Sequence, residues 1–73
     1  MLDDTLDYLD FHAPRLASGD EGVLATLSTG ERIYLCLAAN RVDLLQREGC
    51  TVVQALGRLG PEWLHELVLR HHY

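Results

Sequence analysis

Apolar residues recur along this chain mostly at helical spacing. Leu2, Leu6 and Leu9 fall on one stripe at 100° per residue, and Asp3, Asp7 and Asp10 fall within about 60° of one another on the adjoining face. The pattern predicts a helix from about Asp3 to His12, docking by its leucines and presenting carboxylates beside them. Pro14 is expected to end it, because the residue before a proline is pushed out of the helical region. Ser18 to Gly22, Ser-Gly-Asp-Glu-Gly, reads as a turn or loop.

Val23 to Ala39 admits two readings. Ser28-Thr29-Gly30-Glu31 is a capping box, which places Ser28 at the N-cap of a helix reaching about Ala39. The same residues can turn a hairpin at about 23–37, since Thr29-Gly30 is turn-competent and Ile33, Leu35 and Leu37 alternate. The helix is preferred: an isolated two-stranded ribbon is marginal, and Leu37-Ala38-Ala39 extends the apolar run in helix-forming residues. The expected class is all-α, a bundle of five to six short helices, with α+β as the alternative.

The second half is plainer. Arg41 to Glu48 reads as a short helix with Leu44 and Leu45 inward, an Asp43–Arg47 pair at i,i+4 and Gly49 as terminator. Thr51-Val52-Val53-Gln54 is a second capping box, opening a helix with Val53, Leu56 and Leu59 inward and Gly60 at its end. Gly57, inside that helix, is expected to permit close packing. Pro61 suits the first position of a last helix, where its missing N–H costs nothing. Trp63, Leu64, Leu67 and Val68 form the stripe expected to be buried, Trp63 largely so, and Glu62, Glu66 and Arg70 the wet face.

Composition makes this one small folded domain, 1–73. With 73 residues, 48% hydrophobic and 23% charged, the chain has the profile of a globular protein and room for one thin core. Apolar stretches are too short for a membrane span, and the acidic Met-Leu-Asp-Asp start is unlike a secretory leader. A cytoplasmic monomer with two ordinary thiols is expected.

Charge changes the picture more. Residues 1–21 hold Asp3, Asp4, Asp7, Asp10, Asp20 and Glu21 against Arg15 alone, whereas residues 22–73 balance five acids with five arginines, so the net charge of −5 lies in the first quarter. Direct binding to nucleic-acid phosphates is disfavoured, because that affinity comes from cationic side chains. The six carboxylates are the candidate partner-binding residues: together they make a negative field that steers toward a basic groove of the kind that holds nucleic acid.

Catalytic and metal chemistry find little support. Cys36 and Cys50 lack the close spacing of zinc ligands, and His65 and His71 point about 120° apart on one helix. His71, His72 and Tyr73 are expected to fray. Ser18 and Ser28 lack a nucleophile-elbow setting, and Cys50, though just before a helix start, has no histidine near in sequence. The glycines make no phosphate cradle. The expectation is a binding protein, not an enzyme, with no cofactor and no metal.

Ser28-Thr29-Gly30-Glu31-Arg32, Leu37-Ala38-Ala39-Asn40-Arg41-Val42-Asp43-Leu44-Leu45 and Leu59-Gly60-Pro61-Glu62-Trp63 resemble a pattern in short proteins of proteobacterial phages and mobile elements. In size, acidity and lack of catalytic groups the chain is also similar to the small anti-CRISPR proteins that such elements encode. That resemblance implies an inhibitor that blocks DNA binding by a type I CRISPR surveillance complex as a partial DNA mimic, its partner a basic effector subunit. The alternative is an antitoxin or regulatory adaptor whose apolar stripes pair with a toxin or a second copy.

Overall fold

Leu6, Leu9, Ala13 and Leu16, spaced three and four apart, are all buried, and they bring the first helix onto the rest of the chain. The computed structural model describes residues 2–71, with the side chain of Leu2 outside the description. Helix α1 spans Leu2–Ala17, a 3-10 segment covers Glu21–Thr26, and α2 (Thr29–Ala38), α3 (Val42–Arg47) and α4 (Val52–His71) follow. Helix accounts for 83% of the described residues and none of them is in a strand, so the all-α reading holds and the hairpin at 23–37 does not.

The capping box decides that segment. Ser28 Oγ accepts from the Glu31 amide at 3.3 Å, and Glu31 Oε1 accepts from the Ser28 amide at 2.9 Å. Ile33, Tyr34, Leu35 and Cys36 then lie buried in the middle of α2, which packs against both α1 and α4 and is the centre of the core. Thr51 and Gln54 form the matching reciprocal pair at the start of α4, at 3.1 and 3.0 Å.

Three of the helices stop in the same way. The Asp20, Arg41 and Cys50 amides donate back to the carbonyls of Arg15, Cys36 and Leu45, each across a residue at positive φ, namely Gly19, Asn40 and Gly49. Gly49 therefore acts as the expected terminator. Asn40, at φ 56°, does the same work with a side chain that tolerates the left-handed region.

Several expectations are corrected. Helix α1 does not end before Pro14 but runs through it to Ala17. Losing the proline's backbone bond costs about 3 kcal/mol, and full burial of Leu16 together with that of Ala13 offsets it. The Ser18–Gly22 loop gives way at Glu21 to the 3-10 segment. Asp43 pairs with Arg41 rather than Arg47, which reaches Glu21 instead. Val53 is 78% exposed, and Ala55 takes its place inward beside Leu59. Val68 is exposed, and Trp63 and Leu64 are half-buried, leaving Leu67 as the buried member of that stripe. Gly57 lies on open surface, where an added Cβ would meet nothing within 4 Å, so it serves no close packing. At Gly60, φ 80° and ψ 164° break α4 into two helical parts, with Pro61 starting the second.

Candidate binding surface

Helix α1 sorts its residues into three stripes. Leu6, Leu9, Ala13 and Leu16 face the core; Asp3, Asp7 and Asp10 flank them on the side next to α4; and Asp4, Tyr8, Phe11 and Arg15 point outward. The second stripe converges on one cation. Arg70 reaches Asp7 at 2.7 Å, Asp10 at 2.9 Å and Asp3 at 3.5 Å, and its Nε donates to Glu66 one turn earlier at 3.1 Å.

Asp10 stands apart from its neighbours. Its Oδ1 accepts from the Tyr34 hydroxyl at 2.8 Å and meets His71 Nε2 at 2.7 Å, while Oδ2 takes Arg70. Burial works to raise its pKa, but the hydrogen bonds from His71, Arg70 and Tyr34 outweigh burial and hold the carboxyl below the ordinary aspartate range. Burial first, and then Asp10, pushes the Tyr34 phenol the other way, above its ordinary value. Tyr34 is itself fully buried and packs edge-on against Trp63 with centroids 5.7 Å apart. Asp10 therefore joins α1 to α2 and α4, while Asp3 and Asp7 keep side chains 79% and 69% exposed.

The structure divides the six sequence candidates. Asp3, Asp7 and Asp10 form one cluster; Asp4 lies exposed on the same helix and meets no basic side chain among the described residues. Asp20 and Glu21 lie beyond the other end of α1. Asp20 accepts from the Gly22 amide at 3.2 Å as the cap of the 3-10 segment. Glu21 is held by Arg47 at 2.6 Å and Arg41 at 3.2 Å, and the Arg47 hydrogen bond leads the lowering of its pKa. With Asp43 also on Arg41, that second cluster is two acids against two arginines and is neutral. The first is four carboxylates against one guanidinium, a net charge of −3 from these five groups.

Sequence reasoning missed the basic end of this arrangement. Arg70, Glu66 and His71 belong to the acidic surface, yet Arg70 and Asp3 are 67 positions apart. Only the Glu66–Arg70 spacing of four was legible. His71, expected to fray, is helical and half-buried; His72 and Tyr73 lie outside the described residues. The other reactive groups are occupied elsewhere. Cys36 and Cys50 are buried free thiols, and burial, followed by Glu48, pushes Cys36 up to about 11. The Cys50 sulfur accepts from Arg58 at 3.1 Å and lies 4.0 Å from the Glu48 carbonyl. Among the described residues no three His, Cys, Asp or Glu side chains are placed to hold a metal ion, and no helix is long and apolar enough to cross a membrane.

Compared against known protein families, curated proteins and solved structures, the chain matches none.

Proposed function

We propose that this protein is a binding protein that uses the acidic side of α1 to occupy a basic surface on a nucleic-acid-handling partner. Its concrete form is an anti-CRISPR inhibitor that competes with DNA for the groove of a type I surveillance complex. The observation that carries the proposal is the unequal pairing at Arg70: one guanidinium organises Asp3, Asp7, Asp10 and Glu66 but neutralises only one of them. A rigid row that keeps net negative charge attracts cationic side chains without first having to order itself. Asp3, Asp4 and Asp7 are the contact residues in this reading. Asp10 helps hold the Arg70 guanidinium that Asp3 and Asp7 share, and Asp20 and Glu21, spent on capping and on a neutral cluster, contribute little. Asp3, Asp7 and Asp10 lie about 6 and 4.5 Å apart along the helix axis, sparser than the one charge per about 1.7 Å of a duplex, so the row supplies part of a phosphate surface only.

An adaptor or antitoxin is the second reading. It is favoured by exposed apolar side chains, Val52 and Val53 at the start of α4 and Val68 and Leu69 near its end. Competition separates the two. In a gel-shift assay of a type I surveillance complex on target DNA, the parent protein should abolish the shift, and the Asp3→Asn/Asp4→Asn/Asp7→Asn variant should need at least about tenfold more protein to do so. Equal inhibition by parent and variant, or inhibition by neither, overturns the mimic.

A further inference from the structure

The outward stripe of α1 carries two large aromatic side chains that the acidic reading does not use. Phe11 is 66% exposed and Tyr8 is 53% exposed, adjacent on a helix whose inner face is fully packed. Neither ring is loose on the surface: the His12 imidazole meets both edge-on, with centroids 4.6 Å from Tyr8 and 5.2 Å from Phe11. Each ring also has a carboxylate one turn before it, Asp4 before Tyr8 and Asp7 before Phe11, a spacing that makes helix side chains neighbours. The guanidinium carbon of Arg15 lies 5.4 Å from the Phe11 centroid, within the range of a cation–π contact.

We propose that Tyr8 and Phe11 are the anchors of the docking surface and that its occupant is a protein surface presenting arginine side chains, each guanidinium stacking on a ring while its N–H groups meet the carboxylate one turn away. This inference rests on the basic-partner reading above and deepens it. Charge complementarity selects a cationic occupant, since this side of the helix carries Asp3, Asp4 and Asp7 with the cluster at Arg70 still net negative. The rings select arginine over lysine: guanidinium is planar, weakly hydrated and stacks on aromatic faces, whereas an ammonium is a strongly hydrated point charge. Arg15, its guanidinium carbon 5.4 Å from the Phe11 centroid, shows that one of these rings takes a guanidinium within the chain itself. The two acid–aromatic pairs repeat after three residues, about 4.5 Å along the axis, so two neighbouring arginines can be held together.

The test uses fluorescein-labelled peptides of about ten arginines or about ten lysines, titrated with the intact protein and followed by fluorescence anisotropy. The parent should bind the arginine peptide roughly threefold or more tighter than the lysine peptide. Tyr8→Ala/Phe11→Ala, shown by circular dichroism to keep its helix content, should lose that preference and bind both peptides equally, the arginine peptide losing the larger part of its affinity. Asp4→Asn/Asp7→Asn should weaken both. Equal affinities in the parent, or a preference that survives loss of both rings, overturns the role of the aromatics and leaves the acidic surface standing. Self-association removed by the same ring substitutions, with no arginine preference, assigns the ridge to a second copy and likewise overturns it. If the parent binds neither peptide, the basic-partner reading falls as well.

Discussion

The Asp10 carboxylate receives the Tyr34 hydroxyl, the His71 ring and the Arg70 guanidinium, and a half-buried acid with this many donors acts on stability more than on binding. Because its folded-state pKa is depressed, the stability it contributes is present above the ordinary aspartate pKa of about 3.9 and is lost as pH falls through the lower folded value. Asp10→Asn should therefore destabilise the protein by about 1–3 kcal/mol near neutral pH and flatten the loss of thermal stability below about pH 4. Melting curves across that range check both effects, and an unchanged acid limb would remove Asp10 from the account. Glycine gives a second contrast at this scale. Gly57 has ordinary helical geometry and open space around it, so Gly57→Ala should stabilise by about 0.5–1 kcal/mol through reduced unfolded-state freedom. Gly49 sits at φ 79°, and the same change there should destabilise by about 1–2 kcal/mol. Urea unfolding of the two variants should move the midpoint in opposite directions.

Among the elements, α2 depends most on a local signal. Ser28→Ala removes one half of the reciprocal cap and should cost about 0.5–2 kcal/mol in urea unfolding, with Ser28→Gly costing less. No loss in either variant would mean that packing alone fixes this helix. Such local chemistry is what the sequence exposes: both capping boxes, Gly49 and the Gly60-Pro61 break act within four residues of themselves and were legible. Features set by distant partners were not. Pro14 reads as a stop because proline is locally unfavourable, yet α1 continues since Ala13 and Leu16 gain burial against the rest of the chain. Asp43 has Arg47 at helical spacing, but Arg47 reaches Glu21, 26 positions away, and Arg41, whose guanidinium donates to the Leu16 carbonyl at 2.7 Å across 25 positions, takes Asp43 at 2.9 Å. The candidate site divides along the same line. That Asp3, Asp7 and Asp10 share a face follows from the helical repeat, whereas their gathering by Arg70, and the removal of Glu21 into a neutral cluster, depend on contacts across 20 positions or more.

At the scale of the molecule, the net charge of −5 is arranged rather than spread. One end of α1 is under-neutralised around a single arginine, the other is balanced, and the exposed rings of Tyr8 and Phe11 lie beside the unbalanced end. Asp3 and Asp7 are largely exposed, so converting them and Asp4 to asparagine should shift stability by about 0.5 kcal/mol or less per site, with Arg70 still held by Asp10 and Glu66. Binding should respond far more than folding. The most direct measurement is the salt dependence of affinity for a basic peptide, taken for the parent and for Asp3→Asn/Asp4→Asn/Asp7→Asn between about 50 and 200 mM salt, where the Debye length shortens through about 10 Å. The parent should bind tightest at low salt and lose affinity steeply, and the variant should bind more weakly with a flatter slope, because fewer charge contacts remain to be screened. The same affinity and the same slope in both proteins would contradict the claim that this face of α1 makes the contact.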